Sequence, residues 1–473
     1  MSRTFAAALC AGLLSTACLS APLYAKAKPA ASHTEAEART LALAKQLVAI
    51  KSVEGPGNQT IVADKAIADA LVAGGWTRGD IDIVPMGDTA YIIASWLGSD
   101  PKLKPLVISG HLDVVAADPK DWERDPFTPV IEDGFLFGRG ASDMKLDAAS
   151  ATSALIELRR SGYKPRRTIV LQFSGDEETT MKTSRVIADR LKNAEVVINI
   201  DGGGGALDEK TGKPAYWSWD GAEKMYNDYT IEVTNPGGHS SAPRPENAIV
   251  QLSTALKNIG EYSFPVEQNP LTKAYFENAA AFESDPKMAA AMRAFAADMN
   301  DKAAVATLRS NPSYVGKVST TCVPTQVNAG HARNALPQRA RANVNCRIFP
   351  GHSREEIRAL LEKVAGVPQA SVRDATGDES IASPASPMRA DVLAAMTKAI
   401  RANYPGIPII PTQASGASDS MYYRALGVPS YGASPTFIKD SDSFAHGLNE
   451  RVPLSNIAPG LRYYMSLFTD LSK

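Results

Sequence analysis

The sequence predicts an α/β protein in which a mostly parallel sheet, with helices on both faces, receives a smaller inserted α+β domain of ferredoxin-like order. Three observations carry this. Apolar strand-like runs alternate with helical periodicity from residue 36 onward, and clusters of polar residues fall directly after the strand runs. Near residue 223 the alternation gives way to a β-α-β-β-α-β order, and it resumes after about residue 385. With 473 residues the chain exceeds one ordinary core, and 44% hydrophobic with 21% charged residues is a globular composition.

Taken in order, residues 1–25 read as a secretory signal: Arg3, an apolar run from Thr4 to Ser20, then small residues ending near Ala25. The run is too interrupted for a spanning helix, and a Pro/Ala/Lys linker over 26–35 follows. Export to the periplasm or medium is the expectation. Acylation of Cys18 as a lipoprotein is the alternative, against which the usual Leu sits one place too far upstream. The main domain is assigned to 36–222 and 381–473. It opens with helical EAEARTLALAKQLVAI and IVADKAIADALVAGGW and the strands DIDIVPM and YIIASWL. Then come the strand PLVISG, the helix DAASATSALIELRRSG closed by Gly162, the strand RTIVLQFSG, a helix around Ser184–Leu191 and the strand AEVVINI. The inserted domain, 223–380, reads as the strand NDYTIEVT, the helix ENAIVQLSTALKNIG, the strands VSTTCVPTQV and RANVNCRIF, the helix SREEIRALLEKVAG and the strand QASVRDATG. Residues 265–314 within it read as an irregular insertion.

Lys plus Arg total 50 against 51 for Asp plus Glu, a balance that offers no field for nucleic acid or an anionic membrane surface. With Cys10 and Cys18 in the signal, only Cys322 and Cys346 remain, too few for a cysteine metal site or a disulfide framework. If their strand runs pair as a hairpin the two face each other, but directly opposed cysteines often suit disulfide geometry poorly, so their pairing is left open.

The polar residues at strand ends are His111 and Asp113 after PLVISG, Asp143 in GRGASDMK, Glu177 and Glu178 in GDEE, Asp201 in NIDGG, and His446 in HGLNE. Open α/β sheets bind ligands beyond the carboxyl ends of their strands, so these residues should converge on one crevice. A lone histidine after a strand is more often structural than a ligand, and a D-E-E triplet is usually a solvated loop. Their co-occurrence at strand ends, among glycines that let backbone crowd a site, shifts the reading to a metal centre. Imidazole and carboxylate donors suit zinc, with cobalt or manganese as substitutes, and two His with three carboxylates can hold two ions if one carboxylate bridges.

The ordered set GHLDVV, GRGASDMK, GDEE, NIDGG, GGHSS and HGLNE resembles the M20 family of dinuclear zinc metallopeptidases, over roughly residues 40–465. The resemblance implies His111, Asp143, Glu178, Asp201 and His446 as metal ligands, with Asp143 bridging. It implies Asp113 as the carboxylate that fixes the His111 ring, and Glu177 as the general base that returns its proton to the leaving amine. His239 is expected to reach the partner subunit's site and stabilise the oxyanion, which implies a homodimer through the inserted domain. Asn334, Arg347 and Gly416 resemble the substrate-binding positions, Arg347 facing a free carboxylate. Asp176, Asp147 and Asp419 read as structural, and His33, His331 and His352 match no ligand position. Leu146 and Thr180 stand where the family commonly has glycine, which bears on pocket shape.

The expected activity is hydrolysis of an amide bond beside a free carboxylate in a short peptide, as a carboxypeptidase or dipeptidase. Asp rather than Glu at 201 resembles the peptidase branches, and export argues against the biosynthetic desuccinylases, whose substrate is cytosolic. The alternative is an N-acyl amino acid amidohydrolase. A non-catalytic peptide-binding protein on the same fold is the third reading, and it is disfavoured because every ligand and base position is filled.

Overall fold

A computed structural model describes residues 33–377 and 380–473, so the signal assigned to 1–25 and most of the 26–35 linker lie outside the described residues. The first helix, Thr34–Val48, starts where that linker was expected to end.

The large sheet has ten strands, and at its centre Ile169–Ser174, Leu106–His111 and Val196–Asn199 run side by side and parallel. These strands are buried along their whole length, which is why they read as continuous apolar runs rather than alternating ones. Both faces are covered. Leu106 and Ile108 pack in the layer of helices Leu146–Arg160 and Ile457–Leu471, whereas Val107 packs in the layer of Lys182–Arg190 and Ser420–Ala425. Antiparallel strands close one edge, with Ile81–Met86 against Thr89–Trp96 and Thr89–Trp96 against Ile169–Ser174. The parallel register sets His111 opposite Ser174 and Ser109 opposite Asn199, so the chain leaves all three strands at one rim.

The second sheet has four antiparallel strands in the order Thr321–Ala329, Arg339–Ile348, Met225–Thr234, Ala370–Asp374. Helices Ala248–Glu261 and Arg354–Ala365 cover one face of it, and with them the βαββαβ arrangement is complete. Here the strands alternate: Tyr229, Ile231 and Val233 face the helices, as do Ala342, Val344 and Cys346, while Tyr226, Asp228, Asn343, Asn345 and Arg347 occupy the opposite face. Among the described residues no helix is long and apolar enough to cross a membrane.

The stretch read as irregular is instead four helices: Pro270–Ala279, Pro286–Ala297, Lys302–Arg309 and Pro312–Val315. Each begins at a side-chain N-cap, respectively Asn269, Asp285, Asp301 and Asn311, and three have Pro at the first turn. They bury Phe276, Met292, Phe295 and Leu308 together with Ile410 of the large sheet. They therefore pack on the main body, although they interrupt the small domain in sequence.

Cys322 and Cys346 lie directly opposite each other in the small sheet and form a disulfide, which settles the pairing left open by the sequence. The bridge spans 24 residues of chain, and in the chain-entropy account closing such a loop is worth about 3 kcal/mol. Replacing both cysteines by serine is expected to lower the unfolding free energy by roughly that amount, read from urea unfolding as a lower midpoint with a steeper slope, because the unfolded chain is no longer cross-linked.

Candidate metal centre

The His111 ring is 1% exposed at the end of its strand. Its Nδ1 donates to the Asp113 main-chain carbonyl at 3.0 Å, which leaves Nε2 to face the crevice. The Asp113 carboxylate sits slightly farther off, with Oδ1 at 3.5 Å from Nδ1, and its Oδ2 accepts the main-chain N–H of Glu178 at 3.0 Å. Asp113 thus steadies both the ring and the loop that bears the two glutamates.

On the open side, His111 Nε2 lies 3.1 Å from Asp143 Oδ1 and 3.7 Å from Asp201 Oδ2. The other Asp143 oxygen lies 3.2 Å from His446 Nε2, which in turn is 2.9 Å from the Glu178 carboxylate. Asp143 therefore stands between the two imidazoles with one oxygen toward each. Two overlapping donor groups result, His111–Glu177–Asp201 and His111–Asp143–Glu178, each with its donor atoms within 4.8 Å of one another. His446 is the outermost donor, its side chain 54% exposed, on a residue with φ of 62°.

Asp143, Glu177, Glu178 and Asp201 bring more negative charge than two imidazoles can balance. Without other cations, protons make up part of the difference. Burial pushes Glu177 and Glu178 up and lifts Asp201 to about 7. Hydrogen bonds to Asp143 and Glu178 raise His446 to about 10, while burial opposes ionisation of Asp143 but the two imidazoles hold it below the usual range. Hard and borderline donors with this charge excess fit two divalent cations.

Glu450 organises the loop that carries Asp143. It is fully buried, pairs with Arg139 Nη1 at 2.6 Å, and accepts the main-chain N–H groups of Gly140 (2.9 Å), Ser142 (2.9 Å) and Asp143 (3.1 Å). At Gly140, with φ of 82°, a Cβ would come within 2.6 Å of Val114 Cγ1, so only glycine allows this turn. The role of Glu450 escaped the sequence reading although it closes the quoted HGLNE motif. A carboxylate four residues after a ligand histidine, next to a glycine-rich loop with its own arginine, was the available signal. Lys145 was also missed: its fully buried Nζ donates to the Ile50 carbonyl at 2.9 Å, tying the start of the Leu146–Arg160 helix to the segment after the first helix.

The three aspartates read as structural have partners of that kind. Asp176 accepts the N–H groups of Lys182 (2.8 Å) and Thr183 (3.0 Å) at the start of their helix, and the Thr180 hydroxyl at 2.6 Å. Thr180, one of the two departures from glycine, thus helps hold the glutamate loop. Asp147 accepts from Ser434 (2.8 Å) and Tyr464 (2.9 Å), and Asp419 from Ser174 (2.7 Å). Leu146, the other departure, is buried in the main core.

The residues expected to meet substrate lie elsewhere. His239 is exposed on a two-residue strand paired with Ala335–Leu336, its Nδ1 bonded to the Ser241 hydroxyl at 2.7 Å. Asn334 is beside it, its carbonyl accepting Ser240 N–H at 3.0 Å. Among the described residues no hydrogen bond or ion pair joins either to the metal donors. The Arg347 guanidinium lies 4.8 Å over the Tyr226 ring, on the open face of the small sheet. Gly416 is exposed in the loop after the Ile409–Ala414 strand, and a Cβ there would meet nothing within 4 Å.

A parallel-sheet scaffold that gathers His and carboxylate donors at its strand ends, with a further buried glutamate among them, defines a metal-dependent hydrolase. Residues 107–470 match the peptidase family M20/M25/M40, and the chain belongs to that family. It is 27% identical over 376 residues to the mouse N-fatty-acyl-amino acid synthase/hydrolase PM20D1, covering 76% of this chain and 72% of the mouse protein. It is 26% identical over 398 residues to a probable carboxypeptidase S-like 2 of Dictyostelium discoideum, covering 81% of this chain and 74% of that one. In fold it resembles the M20 metallo-carboxypeptidase Sso-CP2 of Sulfolobus solfataricus, with a TM-score of 0.68 at 18% identity, over 91% of this chain and 98% of that one.

Substituting Glu450→Ala should free three main-chain N–H groups and leave Arg139 buried without its partner. The expected result is a loss of at least 3 kcal/mol, the typical cost of breaking a buried ion pair, together with metal content well below that of the unaltered protein, measured by unfolding and by elemental analysis.

Proposed function

We propose that this protein is an exported dinuclear zinc hydrolase that cleaves the amide bond next to a free carboxylate in short peptides, as a carboxypeptidase or dipeptidase. The observation that carries the reading is the placement of Asp143 between His111 and His446, with Glu177 and Asp201 on one side and Glu178 on the other. Asp143 would bridge, His111 and Asp201 would hold one ion, and Glu178 and His446 the other. Bound there, two divalent ions would supply Lewis acidity for a scissile carbonyl and a lowered pKa for water. Glu177, buried and therefore a stronger proton acceptor than an exposed carboxylate, takes a proton from the attacking water and passes it to the leaving amine. Asp113 keeps the His111 ring and the glutamate loop in place while this occurs.

Among the described residues no hydrogen bond or ion pair joins His239 to the metal donors of its own chain, which favours its action on the oxyanion of a second subunit. A surface for such pairing is present: the Thr321–Ala329 strand is an open sheet edge with Val323 58% and Val327 63% exposed, and Val250 of the neighbouring helix is 60% exposed. Asn334, Arg347 and Gly416 would line the substrate pocket. Export is supported by the apolar leader and by a disulfide, a bond that persists in oxidising compartments. The mouse relative favours a second reading in which the acyl side is a fatty chain and the substrate an N-acyl amino acid.

Chelation should abolish turnover and added zinc should restore it. Glu177→Ala should lower kcat by about 100-fold or more while two metal ions per subunit remain, and a variant of unchanged rate removes Glu177 from the chemistry. In a panel of dipeptides beside N-acyl amino acids, turnover of the dipeptides is expected, and turnover confined to the acylated set selects the second reading.

A further inference from the structure

Asp113 steadies His111 and Glu178, and Glu450 steadies the loop of Asp143, but among the described residues no hydrogen bond joins either of them to Asp201. Asp201 is held through its main chain instead, and from two sides. Its N–H donates to Asn199 Oδ1 at 2.9 Å, and the Gly203 N–H, two residues on, donates to Asp220 Oδ2 at 2.6 Å. The Asn199 side chain is 1% exposed and is itself fixed, since its Nδ2 donates to Ser418 Oγ at 3.2 Å and to Ser420 Oγ at 3.0 Å. Ser418 Oγ in turn donates to Glu223 Oε2 at 2.8 Å, and the other Glu223 oxygen pairs with Arg424, both residues being buried. With that counter-charge the Ser418 bond is charge-assisted, as is the one from Gly203 to Asp220.

Asp220 and Glu223 belong to one strand, Pro214–Glu223, which runs out of the large sheet and leads into the small one at Met225. The turn after Asp201 is backed directly onto this strand. Gly203 has φ of 67°, and a Cβ there would come within 2.6 Å of the Ser218 carbonyl oxygen and 2.9 Å of that of Gly432. Both neighbours are main chain, so the turn has no room in which to drift. A buried ion pair is a poor source of stability in itself. The Arg424–Glu223 pair instead directs an oxygen into a chain of three hydrogen bonds that ends on a residue of the metal centre.

We propose that Glu223, acting through Ser418 and Asn199, and Asp220, acting through Gly203, are positioning residues that set where the Asp201 carboxylate stands relative to His111, and so the affinity of the ion those two would hold. This rests on the two-ion reading above and goes beyond it by making the two sites unequal. The site of His111 and Asp201 answers to the strand that leads into the small sheet, whereas the site of Glu178 and His446 is braced by Asp113 and does not. Neither Asp220 nor Glu223 belongs to the donor groups. They act on the separation of Asp201 Oδ2 from His111 Nε2, 3.7 Å in the structure. Metal–ligand distances hold to within about 0.2 Å, so a small drift of the Asp201 main chain is felt at the ion.

The test is metal binding rather than rate. Zinc is returned stepwise to the metal-free full chain in competition with a chromophoric chelator, which gives a dissociation constant for each ion, and Asp201→Ala marks which of the two constants belongs to the Asp201 site. Ser418→Ala cuts the relay at one hydroxyl and leaves Glu223 its arginine. It is expected to weaken the Asp201 ion about 10- to 100-fold, the usual worth of an outer partner of a metal ligand, and to leave the other ion unchanged. Ser418→Thr keeps the hydroxyl and should restore the affinity. Asp220→Asn keeps an acceptor for the Gly203 N–H without the charge and should weaken the same ion by less, so it carries the test if Ser418→Ala fails to fold. Equal weakening of both ions, no weakening of either, or a loss that Ser418→Thr does not restore overturns the proposal and leaves the relay as a prop for the strand. Failure of the two-ion reading looks different, because the unaltered protein would then take up one ion or none in the same titration.

Discussion

Four carboxylates and two imidazoles within one crevice form the constraint on which the architecture turns. Such a collection repels itself and resists desolvation, so it holds together only if each group is fixed from behind and cations or protons balance the charge. The protein fixes the groups by main-chain contacts. Glu178 is positioned through its own N–H on Asp113, His111 through the Asp113 carbonyl, and Asp143 through its N–H on Glu450. The large parallel sheet matters because it delivers three of these segments to one rim in register, and the buried Arg139–Glu450 pair brings the fourth from the far end of the chain.

Much of this was legible in the sequence. Continuous apolar runs ending in His111, Ser174 and Asn199 identified the buried parallel strands, because a strand covered on both faces has no polar side to show. The ferredoxin-like order was readable for a related reason, since its strands alternate and its helices carry caps, Ser353 with Glu356 among them. The five donor residues come together beyond the strand ends, as their positions after apolar runs imply, whereas their individual roles follow from the family resemblance alone.

What the sequence hid has physical causes as well. The helices of the 265–314 stretch are short, the longest of them, Pro286–Ala297, is largely alanine and so shows little periodicity, and the Asn-Pro and Asp-Pro starts of three of them were the better signal. Glu450 and Glu223 were hidden because a buried charge looks like a surface charge in a sequence. Only the fold shows which groups each of them holds.

Because the 265–314 helices rest on Ile410 of the main body, the polypeptide passes between the two parts of the molecule four times rather than two. Four covalent links at the Met225 end of the small sheet restrain it against the main body more than two would, and His239 lies at the opposite end, farthest from those tethers.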